Sequence, residues 1–192
     1  MRMTLAISTG LALVVGVVAS ARAAEFKSGP QVGDVVGAFT VEKAAGAADD
    51  GVAVGDHLCY RCRMGNRPMV MVFAHSADAQ LASLTKQLDK VVADNKEKKM
   101  GSFVSLLGDK PDELKAEAKS FVEKNKIENI AFVVPEENKA GPSDYNLNDK
   151  ADVTVLIYRQ GKVAANHALA AGGLSDDEIN KIIADTGKIL ND

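Results

Sequence analysis

The chain has 192 residues, of which 46% are hydrophobic and 26% charged, with a formal net charge of −3. That is the composition of an ordinary soluble domain. Its mildly acidic balance, with lysines dispersed among acids, excludes the basic footprint that nucleic-acid binding requires.

The first 23 residues read as a signal peptide. Arg2 precedes an apolar run from Leu5 to Ala19, and Ala21-Arg22-Ala23 has the small-x-small form of a signal-peptidase site. The run is too short and too interrupted for a good membrane span, which needs ~20 apolar residues. Cleavage near Ala23 leaves 169 residues and, because Arg2 and Arg22 go with the leader, a formal charge of −5. That length suits one core, and the expected mature protein is periplasmic or secreted and has no membrane attachment after cleavage.

Residues 24–34, with Gly29, Pro30 and Gly33, read as a flexible lead-in to a domain over 35–192. Val35 to Val41 is a short strand candidate, and Ala44 to Asp50 is small, polar and turn-like. The two cysteines of the chain follow as Cys59-Tyr60-Arg61-Cys62. Next, Pro68 to Ala74 is an uninterrupted apolar run, the pattern of a strand buried on both faces.

From Ala77 to Lys98, Leu81, Leu84, Leu88, Val91 and Val92 recur at helical spacing, with Lys96, Lys98 and Lys99 at the end favoured by the dipole. Phe103 to Leu107 is a second buried strand. Asp109 is placed to cap a helix with Pro111 in its first turn and Leu114, Ala118, Phe121 and Val122 as its buried stripe. Ile130 to Val134 is a third strand, and Pro135 to Asp152 a long polar connection with one helical turn near Tyr145 to Leu147. Val153 to Tyr158 and Lys162 to His167 flank Arg159-Gln160-Gly161 as a hairpin. Ser175 and Glu178 form a capping box for a last helix that buries Ile179, Ile182, Ile183, Ile189 and Leu190.

Strand–helix–strand units demand parallel pairing, and the closing hairpin adds antiparallel strands. The expected class is α/β, a mixed central sheet with helices on both faces. This order, together with the hairpin Val153 to Val163 and the lead-in Gly33-Asp34 to Thr40, resembles the thioredoxin-like superfamily, in particular its exported and peroxiredoxin-like members. The resemblance spans roughly residues 33–190. It implies a C-x-x-C after the central strand, at a helix start that stabilises a thiolate. Here those positions hold His75-Ser76-Ala77-Asp78-Ala79, and Cys59 and Cys62 lie before the strand. The proline that the family places before the hairpin strand aligns with about Val153 and is absent.

Three readings of the cysteine pair stand. A dithiol–disulfide couple is favoured because C-x-x-C closes too small a ring to be a strong staple, and Arg61, Arg63 and Arg67 favour thiolate. An inert loop disulfide in a non-catalytic binding or scaffold module is the second. A Cu(I) or Zn(II) carrier using His57, Cys59 and Cys62, with thioether sulfur from Met64, is the third; Met69 and Met71 read as core. Without a histidine after Cys62 there is no c-type haem pattern. The expected catalytic residues are Cys59 and Cys62, with no cofactor and no resident metal, and the expected partners are protein thiols or disulfides. The residues themselves do not assign which cysteine attacks; only the usual N-terminal-first order points to Cys59. Ser76 reads as a helix cap, His167 as a surface residue, and the loop around Gly141 to Tyr145 as long enough to bind something.

Overall fold

The structure, a computed structural model, describes residues 26–190; the expected signal peptide and Ala24–Glu25 lie outside the described residues. The apolar runs form the middle of one mixed sheet. Its strands in chain order are β1 (Val41–Gly46), β2 (His57–Leu58), β3 (Met69–Ala74), β4 (Gly101–Leu106), β5 (Ala131–Pro135), β6 (Val153–Arg159) and β7 (Lys162–Leu169). Their order across the sheet is β2-β1-β5-β4-β3-β6-β7. β3, β4 and β5 are parallel, whereas β1 and β6 run antiparallel to their neighbours.

The helices are α1 (Tyr60–Met64), α2 (Ala79–Asp94), α3 (Pro111–Asn125), α4 (Asp176–Asp185) and α5 (Gly187–Leu190). Two successive right-handed crossovers step the same way from β3 to β4 to β5, so α2 and α3 fall on one face. Leu81, Leu84 and Leu88 of α2, Ala118 and Phe121 of α3, and Ile179 and Ile182 of α4 share one core with Val70, Val72 and Val104. The other face, Met69, Met71, Phe73, Phe103 and Tyr158, is covered by α1, by Val36 and by Tyr145 from a single 3-10 turn (Ser143–Tyr145). Helices therefore lie on both faces, unequally.

Several boundaries differ from expectation, each for a local reason. The first strand is Val41–Gly46, not Val35–Val41. A bulge between Lys43 and Ala45 turns both Ala44 and Ala45 into the core shared with α3, where small side chains let the helix sit close. Gly46 has φ 77, and a Cβ there would collide with the Ile130 carbonyl oxygen. Residues 35–40 instead cross the α1 face, with Val35 making one isolated bridge to Lys162.

The lead-in expected as flexible is tied down from Lys27 onward, where the Asn148 side chain donates to the Lys27 carbonyl. Ser28 Oγ lies 2.7 Å from Thr154 Oγ1, and Asn166 Nδ2 donates to the Ser28 and Pro30 carbonyls. Gly33 N–H donates to Val163 O, and Val163 N–H returns to Asp34 O. The last two bonds close the outer edge of β7 at Val163, where its backbone groups would otherwise be open to pairing.

Asp78, not Ser76, caps α2, accepting from Leu81 N–H at 2.8 Å. The helix ends at Asp94, so Lys96, Lys98 and Lys99 lie beyond it. Asp109 pairs with Lys139 at 3.0 Å and caps nothing. Ser175 does cap α4, and Thr186 separates α4 from α5. Gln160 and Gly161, with φ 54 and 74, make the expected hairpin turn.

Candidate functional site

Cys59 and Cys62 form a disulfide, with Cα atoms 5.2 Å apart. Cys59 occupies the position before α1, in extended backbone, and its Sγ accepts the Cys62 N–H at 3.0 Å. Cys59 is half-buried, whereas Cys62 is exposed. The pair is thus asymmetric in access and in hydrogen bonding.

A buried polar network holds this short helix on the sheet. The Lys43 side chain, 1% exposed, donates to Asp50 Oδ1 at 2.8 Å and to the Ala47 and Val52 carbonyls at 2.9 and 2.8 Å. Asp50 also accepts Val52 N–H at 2.8 Å and the Tyr60 hydroxyl at 2.6 Å. The Tyr60 ring stacks on Phe103 with centroids 5.3 Å apart. Burial, reinforced by the bond to Asp50 and its charge, pushes the Tyr60 phenol far above its usual range. So Tyr60, inside the C-x-x-C, is an anchor that holds α1 on the sheet, with Cys59 half-buried and Cys62 exposed. Sequence reasoning missed Lys43 and Asp50; a lysine in a strand and an aspartate in a turn carry no pattern that marks them as partners.

The three arginines engage groups other than the cysteine sulfurs. Arg61 Nε donates to Val36 O at 3.1 Å, Arg63 Nη2 to the Asp50 and Gly51 carbonyls at 3.0 and 3.2 Å, and Arg67 Nη1 contacts Met64 Sδ at 3.5 Å. They fasten α1 and its exit. Met69 and Met71 are fully buried core residues.

The exposed His57 imidazole lies 3.8 Å from Glu42 Oε2 and 3.9 Å from Glu136 Oε1. Among the described residues no three or more His, Cys, Asp or Glu side chains gather as a metal site. With the pair oxidised, the His57, Cys59 and Cys62 set offers no thiolate ligand.

The far end of β3 is built differently. Ser76 Oγ donates to Asp152 Oδ2 at 2.9 Å, and His75 N–H donates to the Asp152 carbonyl at 3.0 Å. The exposed His75 and half-buried Ser76 thus brace the start of β6. By contrast, α1 and its exit meet the beginning of β4 and the β6–β7 turn. Met64 Sδ approaches Gly101, Arg61 packs on Gly161, and Gln160 N–H donates to Asn66 O. Phe39, Phe73 and Tyr145 pack together over the same face. The disulfide helix therefore lies across the sheet from α2 and toward the opposite end of β3 from His75.

Two smaller expectations change. His167 is not a free surface residue: its Nε2 lies 3.1 Å from Asp185 Oδ2, with the side chain 14% exposed. Tyr145 is buried and donates to Gly37 O at 2.8 Å, so it anchors the loop over 141–145, while Ser143 and Asp144 stay exposed.

No family model matches the chain, and no curated protein sequence does. Solved structures do. A protein assigned as a thiol:disulfide interchange protein, DsbE, from Chlorobium tepidum superposes with a TM-score of 0.62 at 16% identity, over 84% of this chain and 99% of its own. The fold is thioredoxin-like. A secreted Mycobacterium tuberculosis disulfide oxidoreductase homologous to E. coli DsbE gives 0.53 at 16% identity, over 76% and 94%. Peroxidoxin BcpB from Mycobacterium tuberculosis gives 0.57 at 13% identity, over 84% and 99%. The likeness is one of fold. This thioredoxin-like domain carries its C-x-x-C ahead of β3, and His75 and Ser76 after it.

Proposed function

We propose that the protein is an exported thiol–disulfide exchange protein acting through Cys59 and Cys62 on protein thiols or disulfides. The observation that carries this reading is the asymmetric disulfide: one exposed sulfur-bearing residue, and one half-buried whose Sγ accepts a backbone N–H. In the oxidised protein, a substrate thiolate attacks Cys62 Sγ. A new S–S bond forms, the Cys59–Cys62 bond breaks, and Cys59 leaves as a thiolate stabilised by the Cys62 N–H. The substrate's second thiolate then attacks its own mixed-disulfide sulfur and displaces Cys62. Two electrons pass from the substrate dithiol to the cysteine pair, and the substrate leaves as a disulfide. The reverse sequence reduces a substrate disulfide and draws its electrons from an external dithiol donor.

This assignment makes Cys62 the sulfur that joins the partner, in place of the Cys59 expected from order along the chain. Export is supported by the leader pattern of residues 1–23. Among the described residues no helix is long and apolar enough to cross a membrane. A second reading, a binding module with a structural disulfide, draws on the absence of cysteine at residues 75–79.

The test is thiol–disulfide exchange with a dithiol. Mature protein is mixed with a peptide dithiol and its disulfide formation followed, with Cys59→Ser/Cys62→Ser as the control. We expect stoichiometric oxidation by the wild type and none by the double variant. A wild-type protein that leaves the peptide reduced while keeping its own disulfide supports the binding module instead.

A further inference from the structure

A cavity of about 750 Å³ opens beside the disulfide helix, between α1 with its exit and the turn that precedes β4. Arg63 and Arg67 line it from one side, Lys96 and Lys99 from the other. None of these four cations forms an ion pair among the described residues, although the chain as a whole is acidic. Three acids also line the cavity: Asp49, Asp50 and Glu128. Asp50 is already matched by Lys43, which leaves four cations against two carboxylates.

We infer that this cleft docks an acidic segment of the partner protein next to the cysteines it exchanges. The inference rests on the exchange reading above and specifies the substrate class. The four cations come from two separate stretches of chain, α1 with its exit and residues 96–99, which suits an extended segment bearing several carboxylates. Arg63 is one turn on from Cys59, its N–H bonded to the Cys59 carbonyl at 2.9 Å, so the cleft begins at the disulfide's own helix. Complementary charge there raises the encounter rate and selects among partners.

The test separates docking from chemistry. A fluorescent, cysteine-free peptide rich in Glu and Asp is titrated by anisotropy into the oxidised mature protein at low salt, beside a Lys-rich peptide of equal length. Arg67→Glu/Lys96→Glu is the variant, because both side chains are exposed; unchanged circular dichroism and melting establish its fold. The expected result is binding of the acidic peptide alone, weakened about tenfold or more by the variant and by high salt. Equal binding of both peptides, or an acidic-peptide affinity unmoved by the variant, overturns the inference. A neutral small-molecule disulfide, which needs no docking, reports on the cysteine pair separately. Exchange with it at equal rates in wild type and variant, alongside the loss of peptide binding, supports the inference. Failure of that exchange in the wild type with peptide binding intact overturns the exchange reading and leaves the cleft standing.

Discussion

At the residue scale, three positions separate two sulfurs with different tasks. Cys62 is exposed and Cys59 half-buried with its Sγ holding an N–H at 3.0 Å. Removing the resolving cysteine should therefore trap a partner, whereas removing the partner-linked one should not. We expect reduced Cys59→Ser to accumulate a mixed disulfide with a peptide disulfide, seen by intact mass, and Cys62→Ser to form it at least about tenfold more slowly. Equal trapping by both variants, or faster trapping by Cys62→Ser, contradicts the assignment. Tyr60, between them, has a separate structural role. Tyr60→Phe loses a hydrogen bond to a carboxylate, for which a cost of about 1.5–3 kcal/mol is typical, while the stacked ring on Phe103 stays. Urea unfolding measures that loss.

At the element scale, the C-x-x-C is held by β1 and the turn after it. Lys43 is the central donor, so Lys43→Met leaves the Asp50 carboxylate buried and short of its countercharge. A destabilisation of about 3 kcal/mol is expected from breaking a buried pair. Faster amide exchange over 59–64 should accompany it, because α1 hangs from Asp50 through Tyr60. A variant as stable as wild type would show that the network is not what positions the helix. The same segment shows where sequence reading succeeds and fails. The strands at 69–74, 101–106 and 153–159 are legible in the main because a strand covered on both faces is mostly apolar, without exception in Met69–Ala74 and with polar residues such as Ser105 and Thr154 interrupting the other two. Val41–Gly46 is not legible, because two alanines, a glycine and a lysine look like a turn until α3 packs on them. The displacement of the cysteines from the end of β3 is readable from order alone. The Lys43–Asp50–Tyr60 network and the cationic cleft are not, since both join residues that only the folded chain brings together.

At the scale of the whole molecule, all three tyrosines of the chain are buried on the α1 face of the sheet. Burial comes first among the causes that push each phenol above its usual range; Asp50 adds to it at Tyr60 and Arg61 opposes it at Tyr145 and Tyr158. Below about pH 10 the folded and unfolded chains carry the same phenolic protons, so this contribution is constant. Above it, the unfolded chain releases protons that the native state keeps, and stability falls as pH rises by about 1.4 kcal/mol per unit for each tyrosine. Tyrosinate absorbance should therefore appear together with loss of the native circular dichroism, not ahead of it. A smooth titration near pH 10 in a folded protein would contradict the burial. Export belongs to this scale too: the intact mass of protein recovered outside the cytoplasm should match a chain beginning at Ala24.

The central claim is that the Cys59–Cys62 disulfide is a working couple and not a staple. Its reduction potential, measured by equilibrating the mature protein against glutathione buffers and counting free thiols, tests that most directly. The account predicts a value within the range of exchange proteins, about −120 to −270 mV, and a value below about −300 mV, where structural disulfides lie, would contradict it.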